Sequence, residues 1–465
     1  MKLFFVSLGC DKNLVDSEKM LALLAAQGIE VTQEPEDAEI IIVNTCGFIH
    51  DAKEESIETV LEMAQYKTEG SCISLIMTGC LAQRYAEEIR KEIPEVDAVV
   101  GTTAYDQIAS VVQETLKGKK SCRLAALDYL PENLTRRIRT SANYTAYLKI
   151  AEGCSKHCTY CIIPKLRGDY RSVPMEELLA EAGQLAEDGT KELIVIAQET
   201  TVYGVDLYGH KALPELLKRL CRIDGIEWIR LLYCYPEEIT EELLQTMKEE
   251  PKICHYLDLP IQHCNDEVLK RMGRKTTKDD LCKKIQKIRE VLPDIALRTT
   301  LISGFPGETE REHEECVSFV SQIKFDRLGV FPYSPEEETP AAGYIDQVEE
   351  ETKHRWADEL METEQHVIFR QNEQLIGRKL RVLVDGFLPE EGVYVGRTYR
   401  DAPDIDGCVF FEVSYEIVSG TMLTVRITNA SGYDLIGEIC PDEEDPLLAD
   451  GPDFISHNKK EELEP

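Results

Sequence analysis

Short apolar runs alternate with longer amphipathic stretches through the first part of the chain. The runs KLFFVSL, EIIIVNT, ISLIMTG and VDAVVG have the length of strands. Helical spacing of apolar side chains appears in VDSEKMLALLAAQG, from Asp51 and from Gln83. Such alternation predicts parallel strands with helices on both faces of the sheet. Residues 1–116 are therefore predicted to form a small doubly wound α/β domain.

The same alternation restarts beyond a polar, basic linker. Six apolar runs follow, with helical stretches between them: YTAYLKI, KELIVIAQ, EWIRLLY, HYLDLPIQ, IALRTTLISG and DRLGVFPY. Six βα units predict an open or partial barrel, built like a TIM barrel, over residues 140–370. A long charged helix is predicted near its end, from Gln347 to Ile376.

The pattern changes again after that helix. Four short strands punctuated by glycine, KLRVLVDGF, EGVYVGRT, CVFFEVS and MLTVRITNA, predict a small antiparallel β-barrel over residues 373–440. Residues 441–465 are acidic and contain proline, which is typical of a disordered tail.

Composition narrows the setting in which this protein works. The opening MKLFFVSLGC is too short an apolar run for a signal, which needs roughly 7 to 15 residues, and no run approaches the roughly 18 of a membrane span. The chain is therefore predicted to be cytoplasmic and without membrane contact. Its net charge of −34 favours cationic partners, although solubility alone explains that charge equally well.

Sixteen cysteines in a long chain favour metal ligation over disulfides.

The most specific motif is EGCSKHCTYC, in which Cys154, Cys158 and Cys161 form a CxxxCxxC array that we call the loop triplet. It follows the first predicted barrel strand, and such barrels carry their active sites at the carboxyl ends of the strands. Three thiolates can hold three irons of a 4Fe-4S cluster and leave the fourth open. The alternative is a zinc knuckle with His157 as fourth ligand, but this residue adjoins Cys158 and cannot easily turn inward beside it.

A second set of cysteines, which we call the strand-end triplet, follows three predicted strands of the first domain. It consists of Cys10 in SLGC, Cys46 in VNTCGF and Cys80 in MTGC, separated by 36 and 34 residues, about one βαβ repeat each. Because neighbouring strands of a doubly wound sheet end at one crevice, these thiols are predicted to converge on a second cluster. The alternative is that they are small buried hydrophobes. The other ten cysteines show no such grouping and are interpreted as structural.

Together, GCDKNLVDSE, NTCGF, the GC at Cys80, the CxxxCxxC array and the terminal barrel resemble the methylthiotransferase family of radical S-adenosylmethionine (SAM) enzymes, over residues 1–440. The resemblance implies a central radical SAM barrel and a TRAM-like terminal barrel that helps hold the target. It also implies that the loop triplet binds a 4Fe-4S cluster that cleaves SAM. The strand-end triplet would bind an auxiliary 4Fe-4S cluster that holds the sulfur. One SAM molecule would supply the methyl group and a second the radical.

Four further residues are predicted to contact SAM from the carboxyl ends of the barrel strands. Tyr160 lies inside the cluster loop, Gln198 and Gln262 follow the second and fourth barrel strands, and Arg274 follows a helix. Each is equally well explained as a loop or surface residue. The turn GFPGET, residues 304–309, is predicted to place backbone NH groups near the cofactor, or only to shape the turn.

Members of this family differ in target, which is an adenosine of transfer RNA or an aspartate of protein twelve of the small ribosomal subunit. GCDKNLVDSEKM and LRTTLISGFPGET resemble the subgroup that modifies the β-carbon of that aspartate. Asp401, Asp404 and Asp406 lie in one loop of the last barrel, where acidic residues exceed basic ones. This sign of charge suits a basic ribosomal protein better than phosphate.

Two alternatives remain open at this stage. The nearer is a transfer RNA adenosine methylthiotransferase, and the more distant is a non-enzymatic iron-sulfur or RNA-binding protein. An electron donor such as flavodoxin or ferredoxin is a further expected partner, whereas the sequence does not identify the sulfur donor.

Overall fold

The computed structural model describes residues 1–131 and 136–440. The predicted acidic tail, residues 441–465, lies outside the described residues. The chain divides into two compact units, Met1–Arg370 and a second that begins at Gln371. Within the described ranges, no helix is both long enough and apolar enough to cross a membrane.

The first sheet contains six parallel strands in the order β2-β1-β3-β4-β5-β6. All five strand pairings in it are parallel. The strands are β1 (Lys2–Ser7), β2 (Glu30–Val31), β3 (Ile40–Thr45), β4 (Ser74–Gly79), β5 (Ala98–Val100) and β6 (Ser121–Arg123). The helices between them are α1 (Asp11–Ala25), α2 (His50–Glu69), α3 (Cys80–Arg84), α4 (Ala86–Glu92) and α5 (Ile108–Thr115).

Alternate side chains of this sheet enter two separate hydrophobic layers, as the period of two along a strand requires. Ile40 and Ile42 of β3 pack into a layer with α1 and α5, whereas Ile41 and Val43 pack into the opposite layer with α2, α3 and α4. Every residue of β3 is buried. The prediction of a doubly wound domain is confirmed.

Local differences from the predicted elements have physical causes. Helix α1 begins four residues before the predicted VDSEKM stretch, because the extended backbone of Cys10 forms its N-cap. The helix predicted from Gln83 begins at Cys80 and is interrupted at Tyr85, whose φ of −122° and ψ of 34° are not helical. The edge strands β2 and β6 have two and three residues, too few to give a periodic signal.

The second sheet is open and has six parallel strands in the order β14-β13-β12-β11-β10-β7. This confirms the predicted partial barrel. Its strands are β7 (Thr145–Lys149), β10 (Glu192–Ile196), β11 (Trp228–Leu231), β12 (Ile253–Asp258), β13 (Ala296–Ser303) and β14 (Arg327–Pro332). A short antiparallel pair, β8 (Ala151–Glu152) and β9 (Arg171–Ser172), flanks the segment that carries the loop triplet.

Helices cover one side of this sheet and share with it the largest hydrophobic core of the protein. Capping boxes at Thr277 and Thr309 fix the starts of α12 and α13, because side chain and backbone satisfy each other's hydrogen bonds there. The helices are α6 (Ile163–Arg167), α7 (Met175–Glu187), α8 (Val205–Tyr208), α9 (Leu213–Leu220), α10 (Glu241–Glu249), α11 (Asp266–Arg271), α12 (Lys278–Val291), α13 (Glu310–Ile323) and α14 (Glu350–Glu373).

The second unit contains a closed five-stranded barrel in the order β15-β16-β17-β19-β18. Its interior is filled by alternate residues such as Val382, Val384, Val425 and Ile427. Four pairings are antiparallel, as predicted, and the pairing of β17 with β19 is parallel. The strands are β15 (Lys379–Leu388), β16 (Val393–Thr398), β17 (Val409–Phe411), β18 (Met422–Ser431) and β19 (Asp434–Ile439).

Candidate cluster sites

The strand-end triplet lies at one edge of the first sheet. Cys10 follows β1, Cys46 follows β3 and Cys80 follows β4, and these three strands are neighbours. The backbone of Gly9 has a φ of +86°, and a Cβ there would lie 2.8 Å from the Cβ of Cys46. A glycine at this position therefore allows Cys10 and Cys46 to approach each other. The predicted placement of the triplet is confirmed, whereas its role as a cluster ligand stays a prediction.

Burial disfavours the charged form of these thiols. Burial raises the pKa of Cys46 to about 12, and the neighbouring Cys80 and Cys10 raise it further. The pKa of Cys80 is also raised by burial, although the Arg167 guanidinium acts in the opposite direction. Cys10 is exposed and leaves the site accessible. Because the thiolate is the metal ligand, a bound cationic centre is what would stabilise three thiolates here.

The loop triplet lies between β8 and α6, in a loop that follows the first strand of the second sheet. Cys154 and Cys158 are buried and Cys161 is half-buried. Burial raises the pKa of Cys154 to about 11 and that of Cys161 well above its ordinary value. The Cys158 Sγ and the Tyr235 hydroxyl lie 2.8 Å apart, in hydrogen-bond contact.

The structure argues against a zinc knuckle. His157 has a φ of +52° and a side chain that is 65% exposed, and its Nε2 lies 3.8 Å from Asp169 at the surface. A single zinc ion with Zn–S bonds of about 2.3 Å would hold any two sulfurs within about 4.6 Å of each other. Among the described residues, neither triplet brings its three sulfurs within 4.8 Å of one another. The wider spacing fits a cluster of several irons better than one ion.

One compact group of potential ligands was missed by sequence analysis. His263, Cys264 and Cys316 bring their ligand atoms within 4.8 Å of one another, and all three are buried. However, the Nδ1 of His263 accepts a hydrogen bond from the backbone NH of Asn265, and its Nε2 lies 3.1 Å from Glu308. With both ring nitrogens engaged, this group is satisfied as part of the core.

A buried polar network joins the two triplets. Arg167, at the end of α6, donates to Asp16, to Glu152 at 3.0 Å and to the Oδ1 of Asn13 at 2.5 Å. Lys149 pairs with both Asp16 and Glu152. Asn13 in turn donates to the carbonyl groups at the ends of β1 and β3. The network therefore ties the helix that follows the loop triplet to the strand ends that carry the other triplet.

Apolar contact reinforces this link. Cys80 packs against Ile162 and Leu166, which lie one and five residues after Cys161 in the chain. Thr102, at the edge of the first sheet, donates to the carbonyl of Leu166. Helix α6 thus follows the loop triplet in the chain and packs against Cys80 of the strand-end triplet, inside one compact unit.

The four residues predicted to contact SAM lie in different surroundings. Tyr160 lies in the loop that carries the loop triplet. Its ring packs edge to face against the ring of Phe305, with the two ring centroids 6.4 Å apart. Gln198 donates to Glu152, and no described residue donates to its buried Oε1. The guanidinium carbon of Arg274 lies 4.0 Å from the centroid of the Tyr235 ring, and its Nη2 donates to Glu237. The Nε and Nη1 of Arg274 have no hydrogen-bond partner among the described residues.

Two backbone hydrogen bonds fix the position of Gln262. Its φ is +70°, its NH donates to Thr300, and its carbonyl accepts from Ile302. In the turn of residues 304–309, the NH groups of Phe305 and Gly307 already donate within the protein. The expectation that this turn offers free NH groups is not supported at those two positions.

Two further residues of the site were not singled out by sequence analysis. Burial raises the pKa of Glu199 to about 7, and its Oε2 has no hydrogen-bond partner in the described part of the chain. The charge of Glu199 also acts on Cys154. Tyr235, which contacts Cys158, carried no motif of its own. The available signal was position alone, because Glu199 lies three residues beyond the end of β10 and Tyr235 four residues beyond the end of β11.

The acidic loop of the terminal barrel differs from its predicted role. Asp401 is buried and accepts a hydrogen bond from Thr398, and Asp406 accepts one from the NH of Ala402. Only Asp404, with a φ of +65°, is exposed. Two of the three carboxylates therefore accept hydrogen bonds within the turn. Asp401 is buried and is not available to a basic partner, and a docking role of this loop stays a prediction.

Family models match three segments of the chain. Residues 2–101 match the uncharacterized protein family UPF0004, residues 148–320 match the Radical SAM superfamily, and residues 376–440 match the TRAM domain. The first and last segments contain the two sheets that flank the central barrel in sequence.

Whole-chain relatives are similar over nearly their full length. A protein of Lachnoclostridium phytofermentans, named ribosomal protein uS12 methylthiotransferase RimO, is 60% identical over 94% of this chain and 99% of its own. Proteins of the same name from Geobacter sulfurreducens and Clostridioides difficile are 51% and 49% identical over 94% of this chain, and over 98% and 99% of their own.

Among solved structures, the radical SAM methyltransferase TsrM of Kitasatospora setae has a similar fold. The TM-score is 0.54 at 13% identity, covering 73% of this chain and 74% of that one. At this identity the similarity concerns the fold alone.

Proposed function

The chain belongs to the family of ribosomal protein uS12 methylthiotransferases, which are radical SAM enzymes, and on this premise we propose that it methylthiolates the β-carbon of an aspartate in uS12, protein twelve of the small ribosomal subunit. The observation that carries the proposal is the presence of two cysteine triplets, one that directly precedes α6 and one whose Cys80 packs against α6. One cluster site would suffice for SAM cleavage alone, whereas sulfur insertion needs a second.

Radical SAM methylthiotransferases use SAM and 4Fe-4S clusters. The loop triplet would hold the cluster at which SAM binds, and the strand-end triplet would hold the auxiliary cluster. When bound, these groups supply the electron that cleaves SAM and the sulfur that is transferred. A radical is required because the substrate carbon carries no acidic proton that a general base could remove.

Three side chains are suited to bind the charged end of SAM. Gln198 and Glu199 each offer a buried oxygen without a hydrogen-bond partner among the described residues, although Lys156 lies 3.9 Å from that oxygen of Glu199, and an ammonium group would satisfy both. Arg274 offers two buried nitrogens in the same condition, and a carboxylate would satisfy them. Tyr160, which lies in the cluster loop itself, would pack against the cofactor.

The electron donor and the location follow from the same proposal. A radical cluster needs a one-electron donor, for which a flavodoxin or a ferredoxin is the expected class. Because uS12 is a ribosomal protein, the proposed place of action is the cytoplasm. The terminal barrel, by its similarity to TRAM domains, is the proposed module for holding the target.

The test uses anaerobically reconstituted protein with SAM, a reductant, and small ribosomal subunits and transfer RNA in one reaction. Mass spectrometry should detect a methylthio group on an aspartate of uS12 and none on transfer RNA. A variant with Cys10, Cys46 and Cys80 changed to Ala is the control and should give no product. Modified adenosine in transfer RNA together with unmodified uS12 would contradict the proposed target.

A further inference from the structure

One segment of this acidic chain is strongly basic. Residues 270–289, which we call the basic segment, contain nine lysines and arginines and only two acidic residues. The whole chain has a net charge of −34. The basic segment therefore carries a net charge of +7 in twenty residues, opposite in sign to the charge of the rest of the chain.

The basic segment borders a groove of about 410 Å³. Four lysines line it, together with Pro236 and Glu237 from the loop after β11: Lys275, Lys283, Lys284 and Lys287. Three of these lysines come from α12, and Lys275 precedes that helix. The groove thus presents several cations on one side of the radical SAM core.

The basic segment also contacts the loop triplet directly. The NH of Thr159, between Cys158 and Cys161, donates to the carbonyl of Met272, and its hydroxyl donates to that of Arg271. The groove wall continues into the same site, because Tyr235, which precedes Pro236, contacts the Cys158 sulfur at 2.8 Å. The start of the basic segment and one wall of the groove therefore both contact the loop that would hold the radical cluster.

The lysine side chains are available to a partner. Lys283 is 71% exposed and pairs with Asp279 one turn away, while Lys287 is 48% exposed and pairs with Glu241. Exposed pairs of this kind contribute little to stability, so a partner's carboxylate can replace Asp279 or Glu241 at little cost. Lys275 is exposed and has no ion-pair partner within residues 1–131 and 136–440.

We propose that the groove beside the basic segment is the docking surface for a small acidic electron-transfer protein that reduces the radical cluster. This inference rests on the proposed function, because it assumes a cluster at the loop triplet. In the docked complex the donor loses one electron and the cluster gains it, with no bond made or broken. Opposite charge raises the encounter rate, and electron-transfer partners typically use small, transient interfaces.

A nucleic acid is the other anionic macromolecule that lysines attract. The rest of the chain carries a net charge of −41, which would repel an extended phosphate backbone. A small acidic protein can contact the lysines alone, since screening confines charge effects to about 8 to 10 Å at ordinary salt. The groove therefore favours the protein donor.

The test variant changes Lys275, Lys283 and Lys287 to Glu. The probe is flavodoxin, reduced by its NADPH-dependent reductase, and the readouts are the rate of SAM cleavage without substrate and the affinity for oxidised flavodoxin. At low salt we expect both to fall on the order of tenfold or more, and the salt dependence to flatten. Cleavage driven by reduced methyl viologen, a small cation, should not fall.

The matched control changes Lys91, Lys117 and Lys119 to Glu, three exposed lysines on the first sheet domain, and should behave as the unmodified protein. Normal flavodoxin binding and normal flavodoxin-driven cleavage by the groove variant would overturn the proposal. Loss of uS12 modification alone would assign the groove to the ribosome instead. If no reductant supports SAM cleavage by the unmodified protein, the proposed function fails, whereas the affinity measurement still decides the docking surface.

Discussion

The two cysteine triplets reach similar environments by different routes. The loop triplet spans eight residues of one loop, so its spacing alone defines it. The strand-end triplet is spread over 71 residues, and only the parallel order of β1, β3 and β4 brings Cys10, Cys46 and Cys80 to one edge. Burial raises the thiol pKa at Cys46 and at Cys154 alike. A short sequence motif and the order of strands in a sheet can therefore both bring three cysteines together in a buried environment.

The difference also assigns separate tasks. The loop triplet lies beside Tyr160, Arg274 and Tyr235, which offer binding groups for an organic cofactor. The strand-end triplet has an exposed cysteine, Cys10, which suits a centre that exchanges sulfur with the outside. Under the proposed function, the loop triplet would start the reaction and the strand-end triplet would deliver the group.

The largest expected effect comes from removing the loop triplet. Changing Cys154, Cys158 and Cys161 to Ala should abolish SAM cleavage and leave about half of an expected content of about eight irons. The measurements are iron analysis and chromatographic detection of 5′-deoxyadenosine. Residual cleavage at the normal rate would show that the loop triplet is not where SAM reacts.

Removing the strand-end triplet should separate the two tasks. Changing Cys10, Cys46 and Cys80 to Ala should also halve the iron but preserve SAM cleavage, while methylthiolation of uS12 is lost. Both products can be followed in one reaction by mass spectrometry. Methylthiolated uS12 from this variant would refute the division of tasks.

An intermediate effect is expected at the link between the sites. Changing Arg167 to Gln leaves Asp16 and Glu152 with one cation fewer, and breaking such a buried pair costs about 3 to 5 kcal/mol. Urea unfolding should detect this loss, and iron should leave the strand-end site faster.

Arg230, a fully buried arginine that pairs with Glu192, is the matched control. Changing it to Gln should lower stability without selective loss of iron from the strand-end site. If the Arg167 variant keeps its stability and retains iron normally, the network does not couple the triplets.

The smallest effect concerns the terminal barrel. Changing Asp404 to Lys should weaken uS12 binding by about 0.2 to 1 kcal/mol at low salt, since the residue is exposed. Changing Asp401 to Lys should instead destabilise the barrel, because its carboxylate is buried against Thr398. Binding titrations and thermal unfolding distinguish the two. Equal effects of both changes on binding, without loss of stability, would contradict this assignment.

Apolar runs were sufficient for all strands of the second sheet and for four of the six strands of the first sheet, but not for its short edge strands β2 and β6, because buried parallel strands are continuous apolar runs such as EIIIVNT. They also placed the cysteines, since each follows such a run. The link between the sites was not predictable, because Asn13, Asp16 and Arg167 are polar residues on helices whose partners come from distant segments. The misassignment of Asp401 has the same origin: composition reports charge but not which carboxylate turns inward.

The most direct test of the central claim is mass spectrometry of uS12 and transfer RNA from a deletion strain carrying this gene or its strand-end triplet variant. The intact gene should restore the methylthio group on the uS12 aspartate, and the variant with Cys10, Cys46 and Cys80 changed to Ala should not. Unmodified uS12 with the intact gene, or restoration of a methylthio group in transfer RNA instead, would contradict the account.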